Sequence, residues 1–130
     1  MAKRMREKSQ ARAESKDTRP SAVAKYIRIA PSKVRVVMKE LRGKTVPVAL
    51  AMLTTMSKSA ASPLSKVISS AAANAENNNG LLRDELFIAE LRADAGPTSK
   101  RFQPVSKGRA HSIMKRTSHL TVVLDTKEGI

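Results

Sequence analysis

From Ser21 onward, apolar residues recur along the chain with two periods, and the switches between them mark out the elements. Ser21 to Ile29 (SAVAKYIRI) alternates. Val23, Ile27 and Ile29 share one parity with Lys25, whose aliphatic stem can lie along an apolar edge, while Ala22, Ala24, Tyr26 and Arg28 share the other. This predicts a strand whose Val23 side forms the apolar set. The period changes at Ala30-Pro31-Ser32, after which Val34, Val37, Met38 and Leu41 recur at helical spacing. Ser32 is the candidate cap and Gly43 the stop. Thr45-Val46-Pro47 opens a second, short helix, with Thr45 as cap and Pro47 tolerated in the first turn. Its apolar face is Val46, Ala49, Leu50 and Leu53, with Met52 and Met56 as core filler.

The longest helical pattern runs from Ser57 to Asn78. Ala60, Leu64, Val67, Ile68, Ala71, Ala72 and Ala75 fall on one broad face, and three asparagines before Gly80 end it. Pro63 leaves two starts open: a bend in a helix that begins near Ser57, or a start at Ser62. Leu82 to Ala93 returns to period two, with Phe87, Ala89, Leu91 and Ala93 opposed to Leu86, Ile88, Glu90 and Arg92. Thr117 to Leu124 (TSHLTVVL) is the clearest strand, Leu120, Val122 and Leu124 facing one way. Pairing 82–94 with 117–124 and adding 21–29 at one side predicts an α+β fold, three helices packed on a three-stranded antiparallel sheet. Asp125 to Ile130 reads as a short frayed end.

Between the two paired strands, residues 95–119 follow neither pattern. AGPTSKRFQPVSKGRAHSIMKRTSH holds six basic residues (Lys100, Arg101, Lys107, Arg109, Lys115 and Arg116), no acid, and only Phe102, Val105, Ile113 and Met114 as large apolar side chains. Either 95–116 is a long irregular loop, or pairing continues outward as a two-stranded ribbon with a turn near Gln103 to Lys107. The ribbon would reach on the order of 40 Å. An isolated ribbon is marginal in water, so such an arm is expected to need a partner surface.

Charge sharpens this picture. The 130 residues carry 25 basic and 11 acidic side chains, a formal net charge of +14. That excess disfavours compaction unless a polyanion offsets it. Aromatic residues are limited to Tyr26, Phe87 and Phe102, too few for a platform on which single-stranded bases stack. What remains is contact with the phosphates, sugars and shape of a folded nucleic acid, above all RNA. Asp84, Glu85, Glu90 and Asp94 concentrate acid on one strand, either a face turned away from RNA or internal partners for arginines. Residues 1–20 form a basic extension without anchoring hydrophobes beyond Met1 and Met5, which predicts disorder in isolation. It is either a solvated leader or a second RNA-contacting tail. Residues 21–130 are expected to form a single RNA-binding domain that includes the arm 95–116.

Other chemistry finds little support. There is no cysteine, which excludes disulfides and thiolate metal sites. His111 and His119 lack metal-ligand spacing and a nucleophile; His119, beside a core strand, reads as structural or as a sugar or phosphate contact. No phosphate-binding loop, dinucleotide glycine pattern or metalloprotease helix occurs. No enzyme activity, cofactor or metal is expected, nor any membrane segment or secretory signal.

GPTSKRFQPVSKGRAHSIMKRTSHLTVVL closely resembles the C-terminal half of the bacterial large-subunit ribosomal protein twenty-two family. APSKVRVVMKELRGK resembles that family's first helix and following turn, and SSAAANAENNNGL the end of its long helix. The resemblance implies the α+β fold above with a long protruding β-hairpin. It implies a cytoplasmic protein of the large subunit that binds large-subunit ribosomal RNA early in assembly, beside neighbouring ribosomal proteins. The hairpin of that family lines the narrow part of the nascent-peptide tunnel, where variants are associated with macrolide resistance and altered response to arrest peptides. By matching motif, Arg101, Phe102, Gln103, Pro104, Lys107, Gly108, Arg109 and Ala110 would form the tunnel-lining end, with Lys100 and Lys115 also on RNA. Ser32, Lys33, Arg35, Arg42 and Lys44 would face RNA from the first helix and its turn. Arg116, Thr117, Ser118 and His119 would hold the hairpin base. The alternative class is a free-standing nucleic-acid-binding protein outside the ribosome, since the second helix pair could pass for a helix-turn-helix. Such a reader would concentrate charge on one helix; here tail, first helix and arm share it.

Overall fold

The computed structural model describes residues 2–126. Helix α1 (Ala2–Glu14) precedes β1 (Ser21–Ile27), α2 (Pro31–Leu41), α3 (Val46–Thr55) and α4 (Ala61–Asn79). Then come β2 (Leu86–Ala95), β3 (Ser99–Pro104), β4 (Ala110–Lys115) and β5 (Ser118–Thr126). The main sheet is antiparallel in the order β1-β5-β2, and β3 pairs with β4 in a separate ribbon. The three-stranded sheet, the three helices on it and the protruding hairpin are therefore as the sequence predicts. The final four residues of the expected frayed end lie outside the described residues; Asp125 and Thr126 pair with Phe87 and Leu86 and extend β5.

Helices α2, α3 and α4 cover one face of the sheet. α4 lies against β1 and β5, α2 against β2, and α3 against α4. The α4 face read from the sequence, Leu64, Val67, Ile68, Ala71, Ala72 and Ala75, is buried throughout. The small side chains of Ala71, Ala72 and Ala75 let α4 pack closely on the sheet. Pro63 sits in the first turn after Ala60, so α4 begins one residue before Ser62 without a bend. Gly80 takes the left-handed position (φ 65°) that closes the helix. Ser32 is not the cap of α2. Ala30 occupies that place, Pro31 starts the helix, and no side chain caps it. Thr45 does stand at the N-cap of α3, yet its side chain makes no capping bond; its backbone bridges to Phe87.

Two strands change face midway, which simple alternation does not anticipate. In β1 the buried side is Ala22, with Ala24 partly buried, whereas Val23 is 56% exposed. The pairing with β5 slips between Ala24 and Ile27, where Tyr26 adopts φ 60°, and this bulge returns Ile27 and Ile29 to the core. In β2, Leu86 and Ile88 are buried, the register shifts before Glu90, and Leu91 and Ala93 then take the inner face. Each predicted parity set was thus half right: the extra residue moves the second half of the strand to the other side.

α1 departs from the expected disorder. Ala, Arg, Lys, Glu, Gln and Met favour helix, and 2–14 is helical although none of its residues is buried. The chain is fixed to the domain only from residue 17 on. The Arg19 guanidinium bonds Asp17 and Glu90, Asn79 Nδ2 donates to the Thr18 carbonyl, and the Leu124 N–H donates to the Pro20 carbonyl.

Candidate nucleic-acid interface

The ribbon predicted as one of two states is formed. Ser99 pairs with Lys115, Arg101 with Ile113, Gln103 with His111, and Pro104 with Ala110. The turn lies slightly beyond the expected place, at 105–109. The Val105 N–H donates to the Arg109 carbonyl at 2.9 Å, and Lys107 and Gly108 are both left-handed (φ 59° and 69°). Opposed residues of an antiparallel pair share a face, so the arm has two. Arg101, Gln103, His111, Ile113 and Lys115 form a polar, basic side. Lys100, Phe102, Pro104, Ala110, Ser112 and Met114 form a flatter, more apolar one, with Phe102 69% exposed. All six cations from Lys100 to Arg116 are exposed. Among the described residues none is ion-paired; the Arg101 guanidinium donates only to the carbonyl of Lys100.

The arm's base is held by a compact set of contacts. The Gly96 N–H donates to the Thr117 carbonyl, and the Thr117 hydroxyl donates to the Pro97 carbonyl at 2.6 Å. His119 Nδ1 accepts from the Tyr26 N–H at 3.1 Å, and the two rings meet edge to face at 4.9 Å. Of the residues that the resemblance set against RNA at this base, Thr117 and Ser118 are buried and His119 is turned onto Tyr26. Their side chains fix the direction of the arm. Arg116 alone of the four is exposed.

A second set gathers beside that base. Arg28, Ile29, Ala30, Lys33, Ser59, Ile113, Met114, Lys115 and Arg116 line an open groove of about 550 Å³. Four cations line it together with Ile29, Ala30, Ile113 and Met114, and the N-terminus of α2, which no side chain caps, adds the positive end of its dipole. Arg28 was missed by sequence reasoning. Its signal was its place three residues ahead of a proline-started helix that carries Lys33.

The first-helix cations divide by role. Arg35 donates from Nη2 (2.7 Å) and Nε (3.2 Å) to the Ala93 carbonyl, and Arg42 donates from Nη2 to the Leu91 carbonyl at 3.1 Å. β2 is an edge strand, and these carbonyls have no strand beyond them. The segment after α2 covers the rest of that edge: Gly43 N–H donates to the Ile88 carbonyl and Ile88 N–H to that of Lys44. Arg35 and Arg42 therefore help close the edge, while all five residues of the predicted set, Ser32, Lys33, Arg35, Arg42 and Lys44, remain exposed. The acidic strand behaves partly as internal counter-charge, since Glu90 bonds Arg19 at 2.9 Å. Among the described residues no cluster of His, Asp or Glu has metal-binding geometry, and no helix is long and apolar enough to cross a membrane.

Residues 22–125 match the family described as ribosomal protein L22p/L17e, which spans the sheet, three helices and arm together. The chain belongs to that ribosomal protein family. It is 55% identical over 103 residues to the large ribosomal subunit protein uL22 of Clostridium novyi (strain NT), covering 79% of this chain and 93% of that one. It is 50% identical over 107 residues to the protein of the same name from Thermoanaerobacter sp. (strain X514), covering 82% and 96%. The Rubrobacter xylanophilus protein of that name is 50% identical over 109 residues, 84% of this chain and 86% of that one. Membership places the chain among structural, non-enzymatic ribosomal components and decides against a free-standing nucleic-acid-binding protein.

Proposed function

We propose that this protein is a structural constituent of the large ribosomal subunit, in the cytoplasm, that binds large-subunit ribosomal RNA and supports its assembly. The groove of Arg28, Lys33, Lys115 and Arg116 takes the backbone of a folded RNA segment at the arm's base. Lys44, Lys100, Arg101, Lys107 and Arg109 extend the contact. The arm's end, Arg101 to Pro104 with Lys107 to Ala110, lines the nascent-peptide exit tunnel. Neighbouring ribosomal proteins and the nascent peptide are its further partners. One observation carries the reading: a paired, acid-free ribbon holds its cations outward with no internal carboxylate to satisfy them. Phosphates would supply what the fold withholds, and guanidinium forks suit them.

The test is a salt titration of binding to large-subunit ribosomal RNA with Arg101→Glu/Arg109→Glu. Losing two phosphate contacts should weaken binding and make the salt slope shallower by about 1.4 to 1.8. An unchanged slope refutes the RNA role of the arm. For the tunnel, a photoreactive residue in place of Ser106 should crosslink both to ribosomal RNA and to nascent chains in translating particles. Absence of the nascent-chain product would remove that part.

A further inference from the structure

We propose that α1 is a second RNA-docking element, separate from the groove and the arm. This rests on the RNA-binding reading above and adds a site to it. The matched family region begins at residue 22, so α1 lies outside it. The matched length in the C. novyi relative, 103 residues at 93% of that protein, makes it shorter than the 130 residues here.

The argument starts from spacing. Arg4, Lys8 and Arg12 follow one another at intervals of four, so they form a stripe along one side of the helix with about 6 Å of axial rise between neighbours. Glu7 and Glu14, seven apart, share a different side. The acids therefore do not interrupt the stripe. α1 carries five cations against two acids, every residue is exposed, and Met5 is its only large apolar side chain. A protein partner would be met through buried apolar or aromatic anchors, and α1 offers none beyond Met5. A polyanion needs none. The A-form RNA backbone, with its regularly spaced phosphates, is the chemistry this stripe fits.

The direction is set by the anchor. Ser21, the first residue after the extension, pairs with Val123, whereas the arm leaves where Ala95 pairs with Ser118. The two basic projections thus depart from different ends of β5. The bonds of Arg19 to Asp17 and Glu90, and of Asn79 to Thr18, hold that departure point. One molecule is thereby built to touch two RNA segments, one beyond each end of β5.

The experiment uses the full chain in assembled large subunits, with one photoreactive residue in place of Met5, beside the stripe, and a separate one in place of Ser106. The Met5 probe should crosslink to ribosomal RNA at nucleotides different from those reached from Ser106. Arg4→Glu/Lys8→Glu/Arg12→Glu should abolish the Met5 product, leave the Ser106 product, and make the salt slope for free RNA shallower by about 2.1 to 2.7. Crosslinks from Met5 only to protein, or none while the Ser106 product persists, overturn the proposal. Loss of the Ser106 product alone would sink the arm reading and leave this one standing; a triple variant with an unchanged Met5 product and slope overturns it.

Discussion

Gly96 shows how much of the arm's direction depends on one missing methyl group. A Cβ there would stand 2.5 Å from the Thr117 hydroxyl oxygen and 3.1 Å from the His119 ring. Neither neighbour can move freely: Thr117 is buried and bonded to the Pro97 carbonyl, and His119 is bonded to the Tyr26 backbone. Gly96→Ala should therefore destabilise the domain by about 1–3 kcal/mol, as overpacking does. Chemical denaturation measures it. A variant as stable as the parent would mean that the base is looser than this geometry. Asp17 is a second residue with a sharp consequence. The Arg19 guanidinium, first, and the Arg19 backbone N–H, second, donate to its carboxylate and lower its pKa to about 2. The Asp17 contribution is fully present above the usual carboxylate range and is lost progressively as pH falls from there through about 2. Carbon NMR titration should give that midpoint, and Arg19→Ala should return it to the ordinary aspartate range.

Elements divide by how far their cause lies along the chain. The α4 face was legible because a helix's period is uninterrupted and its stop, Asn-rich then Gly80, is local. The α2 stripe of Val34, Val37, Met38 and Leu41 was legible for the same reason. Strand faces were not, because the bulges at Tyr26 and before Glu90 are set by the partner strand and leave no mark in the alternation. The site divides likewise. The arm announced itself through composition, whereas the bonds of Arg35 and Arg42 to β2 carbonyls were not legible, because sequence does not show that β2 is an edge with open carbonyls. The groove required three separated segments to meet, so the place of Arg28 ahead of α2 could be read from the sequence but not its meeting with Lys115 and Arg116. The close approach of α4 also carries a prediction. Ala71 and Ala72 are both fully buried, and Ala71→Leu or Ala72→Leu should cost about 1–3 kcal/mol, read as a lowered denaturation midpoint. An exposed position on the same helix, Ser70→Leu, should cost far less.

At the scale of the whole molecule, the +14 charge is what the proposed RNA partner would offset. The described ion pairs involve Arg19, Lys58 and Arg83, which leaves most cations facing one another across solvent. In the free protein that repulsion opposes folding, and salt relieves it, since the screening length falls from about 10 Å at 0.1 M to about 3 Å at 1 M. Bound to RNA, the same cations are neutralised, and salt then competes with the phosphates. The two effects have opposite signs. Raising sodium chloride from 0.1 to 0.5 M should raise the melting temperature of the free protein and weaken its complex with ribosomal RNA. The arm should report the same reversal. Amide exchange along Ser99–Pro104 and Ala110–Lys115 should be fast in the free chain, where the ribbon has no layer packed on it, and slow in the assembled particle. If salt instead lowered the melting temperature, or if the arm's amides were already protected in isolation, the cations would be balanced within the fold, and the dependence of this architecture on a polyanion would fail.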